Sequence, residues 1–166
     1  MMQLSYERAT AEDLDEVCAV ARSATAAMRA AGVEQWNERY PTREDFQSDI
    51  DRNQFYVGRA GGRIAVHYAL NQNCDADYQN GYWQTEGPFA VLHRLCVHPD
   101  FQHQGIGKQT LRHIEEALKP TPIRAIRLDM FSGNFAAVRL YWRAGYTQVG
   151  EVDWQMGRFY LMEKAL

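Results

Sequence analysis

The chain has 166 residues, 46% of them apolar and 23% charged, with a formal net charge of −3. That length suits one domain, residues 1–166, built around a full apolar core. The slightly acidic balance argues against an electrostatic nucleic-acid binder, and no apolar run is long enough to cross a membrane. The opening residues, MMQLSYERAT, have neither the basic nor the apolar region of a secretory leader. Three cysteines, Cys18, Cys74 and Cys96, form no CxxC pair, so the expectation is a reduced, cytoplasmic chain. His93, His98 and His103 recur every fifth residue, a spacing that matches no metal-ligand pattern, and no metal is expected.

In chain order, Gln3–Arg8 reads as a first strand. Thr10, with Asp13 three residues on, marks a helix start. Leu14, Val17, Cys18, Ala21, Ala24 and Met28 then recur at helical spacing as far as Gly32. EQWNERYP reads as a loop, and Thr42 with Asp45 repeats the cap signal before a short helix carrying Phe46 and Ile50. QFYVGRAGGRIAVHYAL reads as a hairpin: strand 54–59, a turn at Gly61-Gly62, strand 63–70. A polar connection, 71–87, follows, and loops of that length in a compact domain are often functional. The apolar run FAVLHRLCV, 89–97, is a central strand, and HPDFQHQGIGK leads from it into a helix over 105–118. IRAIRLDMF is a strand, Asn134–Ala144 a helix stopped by Gly145, and two strands near 146–152 and 157–164 complete the chain. The order β-α-α-β-β-β-α-β-α-β-β makes the class α/β. It implies a mixed, mostly antiparallel sheet of six to seven strands, with one right-handed parallel crossover in the second half.

The glycine turn is the feature with the most chemistry. It is not a P-loop: Gly107-Lys108 is followed by Gln109, and position 102 is Gln. It is not the dinucleotide fingerprint either, because Thr110 stands where the third glycine belongs. What remains is Gln102-x-x-Gly105-x-Gly107 at a helix N-terminus, where unsatisfied N–H groups and a partial positive charge favour an anion. Lys108 and Arg112, four apart, add positive charge. Taken alone, the pattern also fits an ordinary tight strand–helix turn.

Read with its neighbours, LCVHPDFQHQGIGKQTL resembles the acetyl-CoA-binding motif of the GNAT family of N-acetyltransferases. RLDMFSGNFAAVRLYWRAGYTQVGEV resembles the family's second motif, in which an Asn opens a helix, a Tyr follows seven residues on and Gly-Tyr ends it. EQWNERYP is similar to a stretch of small bacterial members. The resemblance implies an acyl-CoA N-acyltransferase fold with a splayed central strand pair, 89–97 and the strand near Arg127–Phe131. It implies acetyl-CoA as co-substrate. The pyrophosphate would rest on backbone N–H groups of Gln102, His103, Gln104, Gly105, Ile106, Gly107 and Lys108. The pantetheine arm would pair with Leu95 and Val97, with Asn134, Ala137 and Tyr141 along its other side.

The implied reaction is direct attack of an amine on the thioester. A lysine-like amine has a pKa of about 10.4, so its neutral form at neutral pH costs roughly 4–5 kcal/mol. By family position Tyr141 is the acid for the departing thiolate, though it also lies on an apolar stripe with Ala137, Leu140 and Ala144 and reads equally as core. His93 is the first candidate base, since serotonin-type members carry histidines on this strand; the alternative is a histidine satisfied by a neighbouring strand. Asp129 is the other candidate base, or a residue that orients the last turn. A backbone N–H near Cys96 suits the oxyanion, and the Cys96 thiol reads as buried. Arg94 belongs on the face opposite His93 unless the strand bulges there. It and the later pair Arg139 and Arg143 are candidates for phosphate contact or for solvation. For the acceptor, a small-molecule or protein amine, Trp36, Tyr40, Tyr68 and Trp83 are the candidate wall. The acidic, aromatic segment Asp75, Asp77, Tyr78, Tyr82, Trp83, Glu86 suits a cation or simply anchors a surface loop. Relatives that pair suggest a homodimer. Two other readings stay open: a non-catalytic acyl-CoA-binding sensor on the same fold, and a nucleotide-phosphate-binding protein.

Overall fold

The computed structural model describes residues 2–166. Its seven strands and four α-helices follow the expected order: β1 (Ser5–Arg8), α1 (Leu14–Ala30), α2 (Arg43–Asp51), β2 (Phe55–Ala60), β3 (Arg63–Asn71), β4 (Phe89–Val97), α3 (Ile106–Leu118), β5 (Ala125–Phe131), α4 (Phe135–Arg143), β6 (Thr147–Trp154) and β7 (Gly157–Ala165). Short 3-10 turns lie at Ala11–Asp13, Ala76–Asn80 and Pro99–Phe101. The strands form one sheet in the order β1-β2-β3-β4-β5-β7-β6. β1/β2, β2/β3, β5/β7 and β6/β7 run antiparallel. β4 and β5 pair in parallel from Phe89↔Ala125 to Val91↔Arg127, as a strand–helix–strand unit requires.

The helix starts show why these residues fold locally as they do. The Thr42 N–H donates to the Asp45 carboxylate at 2.7 Å and the Asp45 N–H returns to the Thr42 hydroxyl at 3.3 Å, a reciprocal cap that begins α2. Thr10 and Asp13 make the same exchange, but the turn they open is 3-10, and α1 proper begins at Leu14. From there Leu14, Val17, Cys18, Ala21 and Ala24 are buried at helical spacing.

The chain divides into two compact units. One runs to Leu70 and includes Arg94–Thr110; the other comprises Asn71–His93 and Leu111–Leu166. In the first, α1 and α2 pack Val17, Phe46 and Ile50 with Phe55, Val57, Ile64 and Cys96. His67 of β3 lies fully buried there beside the rings of Phe46 and Phe55, and burial pushes its pKa down to about 3, so it is neutral. A further cluster joins Leu4, Val66, Phe101 and Ile106 to Leu95 and Val97. In the second unit Tyr78, Val91, Val149, Val152 and Leu161 form a core edged by Trp83, Phe89 and Trp154. Among the described residues no helix is long and apolar enough to cross a membrane.

Candidate active site

In the first unit, the end of β4 and the turn after it carry most of the residues expected to hold the co-substrate. Leu95 and Val97 pack on one side of the strand and Cys96 on the other, the alternation a strand imposes. Burial pushes the Cys96 thiol up to about 12, so it keeps its proton and is no nucleophile. The His98 ring then caps the turn: its Nδ1 accepts the Asp100 N–H at 2.9 Å, with Pro99 in the first position and Phe101 buried. The Gln102 side-chain amide donates to the Val97 carbonyl at 3.3 Å and that of Gln104 to the Asp100 carbonyl at 3.3 Å. His103 and Gly105 are left-handed, φ +62 and +77. Left-handed residues alternating in this way gather backbone N–H groups into a concavity that suits an anion. Gly107 lies inside α3, and the second left-handed residue of the turn is His103. Ile106 is buried, while His103, Gln104, Gly105 and Lys108 are exposed.

Arg94 is the residue at which β4 departs from a regular strand. Its φ is +53, and among the described residues it is the one non-glycine of positive φ inside a strand. Its side chain is mostly buried, 14% exposed. Nε donates to Asp49 Oδ2 at 3.0 Å, Nη2 donates to the same oxygen, and Nη1 donates to the Tyr40 hydroxyl at 2.9 Å. Burial pushes the Asp49 carboxyl up against the pull of Arg94. Asp49 was missed in the sequence although a signal existed: with Phe46 and Ile50 it occupies the buried face of α2, where an acid needs a partner. Of the expected acceptor wall in this unit, Tyr40 is 45% exposed. Trp36 is buried in the apolar cluster, and Tyr68 is buried with its ring stacked on Tyr56 at 5.3 Å.

The second unit carries the acid–base candidates, each in its own set of contacts. His93 Nε2 lies 3.0 Å from Asn71 Oδ1 and 3.0 Å from the Asn73 carbonyl. A carbonyl only accepts, so Nε2 carries the hydrogen and a neutral ring accepts at Nδ1. Asp129 Oδ2 accepts the Tyr78 hydroxyl at 2.6 Å. Tyr141 is buried, edge-on to Tyr146 with ring centres 5.6 Å apart. Burial, and then the charge of Asp129, raise its pKa, so the phenol stays protonated. Asn134 Oδ1 accepts the Ala137 N–H at 3.2 Å and so caps α4, tying those two expected lining residues to each other.

The long connection before β4 is fastened down. Asp75 accepts the Asp77 N–H at 2.8 Å, and Asp77 accepts the Trp154 indole N–H at 2.7 Å. Trp83 donates to the Tyr78 carbonyl at 2.7 Å and stacks on the Tyr78 ring. Glu163 accepts the N–H groups of Gln84 and Thr85 at 2.8 and 3.2 Å and pairs with Arg127, which lies over the rings of Trp83 and Phe89. The acids and aromatics of this segment are thus largely engaged inside the unit, with Tyr82 left 79% exposed. A groove of about 600 Å³, lined by Tyr82, Gln84 and Thr147–Glu151, contains none of the expected site residues besides this neighbourhood of Trp83. Among the described residues, no three His, Cys, Asp or Glu side chains come together as a metal site.

The sequence model of the acetyltransferase (GNAT) family matches residues 14–146. The chain is 32% identical over 59 residues to the ribosomal protein bS18-alanine N-acetyltransferase of Escherichia coli, 36% of this chain and 40% of that protein. It is 33% identical over 91 residues to the spermine/spermidine N(1)-acetyltransferase of Bacillus subtilis, 52% of this chain and 53% of that protein. The chain thus spans about half or less of the length of these curated relatives. Among solved structures, a GNAT-family acetyltransferase of Streptococcus agalactiae superposes with a TM-score of 0.87 at 21% identity, over 100% of this chain and 98% of that one. The PaiA N-acetyltransferase of Thermoplasma acidophilum, in complex with coenzyme A, gives 0.74 at 22% identity, over 99% and 100%. With the family's sequence pattern running from α1 to the end of α4 and the same fold over the whole length, this chain belongs to the GNAT acetyltransferase family.

Proposed function

We propose that this chain is an acetyl-CoA-dependent N-acetyltransferase that acts on a primary amine by direct attack on the thioester. The observation that carries this reading is the turn Gln102–Gly105. Its left-handed His103 and Gly105 expose backbone N–H groups at the start of α3, within the stretch that matches the family. The fit to a pyrophosphate is chemical: an uncharged concavity of N–H donors, with Lys108 exposed beside it. The Thermoplasma relative's coenzyme A supports the choice of ligand.

Bound acetyl-CoA supplies the thioester carbonyl that the amine attacks. Gln102–Lys108 hold the pyrophosphate, and Leu95 and Val97 offer backbone groups to the pantetheine arm, with Asn134 and Ala137 as further lining. A backbone N–H at Cys96 meets the oxygen as it gains charge. His93, held through Nε2 by Asn71 and Asn73, accepts the amine proton. The C–N bond forms, the C–S bond breaks, and Tyr141 gives its proton to the departing sulfur. Asp129, already accepting from Tyr78, holds a fixed negative charge near Tyr141 and is a poorer choice of base than His93. Of the aromatic residues proposed to meet the acceptor, Tyr40 is 45% exposed and Trp83 is stacked on Tyr78. The E. coli and B. subtilis relatives are named for an alanine of ribosomal protein bS18 and for spermine and spermidine, and N-acetylation in each case is of an amine.

The test is release of free CoA thiol from acetyl-CoA with a panel of polyamines, aromatic monoamines, amino acids and peptides, with Y141F alongside. Turnover with one class, reduced about 100-fold or more in Y141F, supports the reading. Acetyl-CoA binding without turnover across the panel would mark a sensor. Binding of ATP but not acetyl-CoA, by calorimetry, would mark a nucleotide-phosphate protein.

A further inference from the structure

β4 holds one irregularity, and it is built rather than incidental. Arg94 has a Cβ, and φ +53 is unfavourable for any residue that has one. The other non-glycine residues of positive φ, Asn53 and His103, lie in turns, where the chain must reverse. Arg94 lies within a strand, where nothing local calls for that conformation.

Its side chain supplies the cause. The guanidinium sits with two nitrogens on one oxygen of Asp49 and the third on the Tyr40 hydroxyl. The Arg94 and Asp49 side chains are 14% and 8% exposed. Asp49 is itself fixed, in α2 between Phe46 and Ile50 of the apolar core. An arginine held by all three nitrogens against a helix in the core has little freedom left, and its backbone follows. A left-handed residue in a strand rotates the flanking peptide planes out of the pleat and re-aims the N–H groups that follow. Here those belong to Leu95 and Cys96, the groups assigned above to the pantetheine arm and the thioester oxygen.

We propose that Arg94 is a positioning residue for acyl transfer: clamped by Asp49 and Tyr40, it holds the left-handed backbone of β4 that aims the N–H groups of Leu95 and Cys96. This rests on the acetyl-transfer reading for its kinetic effect. The clamp itself makes no contact with the reacting atoms. It acts through the strand, and it ties Tyr40, on the acceptor side, to the same point.

The experiment compares two double variants, R94A/D49A and R94G/D49A. Each removes both charges together, so neither leaves a lone buried ion, and they differ by one Cβ at the left-handed position. Two readouts are taken on the full chain. Amide hydrogen exchange at Leu95 and Cys96 needs no substrate and is expected to quicken about tenfold or more in R94A/D49A. With an amine that the wild type acetylates, kcat is expected to fall about 10- to 100-fold in R94A/D49A while KM for acetyl-CoA moves less than about threefold. R94G/D49A, free to adopt φ +53, is expected to regain at least about fivefold of that kcat. A merely structural ion pair would lower stability without a difference in kcat between the two. D49N, which keeps the shape of the side chain, replaces them if they do not fold, and it too is expected to lower kcat and quicken exchange. Unchanged exchange at Leu95 and Cys96 overturns the clamp, whatever the reaction. Quickened exchange with wild-type kcat, or equal kcat in the two double variants, overturns its role in transfer. A wild type that turns over no amine overturns the acetyl-transfer reading instead, and the exchange result then decides the clamp alone.

Discussion

Two connections flank β4, and they are fastened on opposite plans. The one after it, His98–Gly105, is tied mostly within itself: ring to backbone at His98 and Asp100, carbonyl to N–H at His98 and Phe101, side-chain amide to carbonyl at Gln104 and Asp100, with the His98 N–H on the Ala65 carbonyl and Arg63 on Asp100 joining it to β3. The one before it is tied to residues far along the chain. Tyr78 reaches Asp129, Asp77 takes Trp154, and Gln84 leans on Glu163, partners 51, 77 and 79 positions apart in the chain. A turn fastened mostly within itself leans on the rest of the chain at few points. A loop fastened from a distance takes its shape from the unit around it. In the proposed reaction, the first plan would serve the part of coenzyme A common to every acyl donor, and the second a segment that meets the amine acceptor.

The largest test of that contrast is E163A. Glu163 is 3% exposed and carries both the Arg127 guanidinium and the N–H groups of Gln84 and Thr85. Removing it strands a buried cation and two donors, and the expected loss is about 3–5 kcal/mol by urea unfolding. A loss under about 1 kcal/mol would mean that the loop does not depend on distant partners. Next is Y78F, which removes one hydroxyl and keeps the ring stacked on Trp83. A hydrogen bond to a charged group is worth about 1.5–3 kcal/mol, and that is the expected loss, with faster amide exchange across 74–84 and none at 98–105. Equal quickening of both segments would erase the distinction.

The same contrast explains what was legible in the sequence. The order of elements, the caps at Thr42 and Asn134 and the end of α4 at Gly145 rest on residues within a few positions of one another, and each appears where expected. The turn was legible for the same reason, down to its glycine at 105. His103 was not, because a left-handed histidine leaves no mark in composition. The partners of the loop were invisible one by one, since Tyr78, Asp129 and Glu163 meet only once β5 and β7 are side by side. Their hint was indirect: Glu163 interrupts an apolar strand, as Asp49 interrupts an apolar helix face. Arg94 shows the limit most clearly. Nothing near it in the chain predicts a left-handed backbone, and the carboxylate that holds its side chain lies 45 residues earlier.

The smallest expected effects lie in the turn and sharpen the comparison from its other side. An added Cβ at Gly105 meets nothing within 4 Å, so G105A costs backbone strain alone. For an L residue at φ +77 that is about 1–2 kcal/mol. If the turn is self-contained, calorimetry should show weaker acetyl-CoA binding, while amide exchange before β4 stays at its wild-type rate. H103G is the complement. Glycine relieves the left-handed strain at 103 but adds freedom to the unfolded chain, and the two offset to within about 0.5 kcal/mol. Binding should then survive H103G, since the anion is met by backbone N–H groups and not by the imidazole. Should H103G weaken acetyl-CoA as much as G105A does, the histidine ring itself would be part of the cradle, and the turn would be fastened to its ligand rather than to itself.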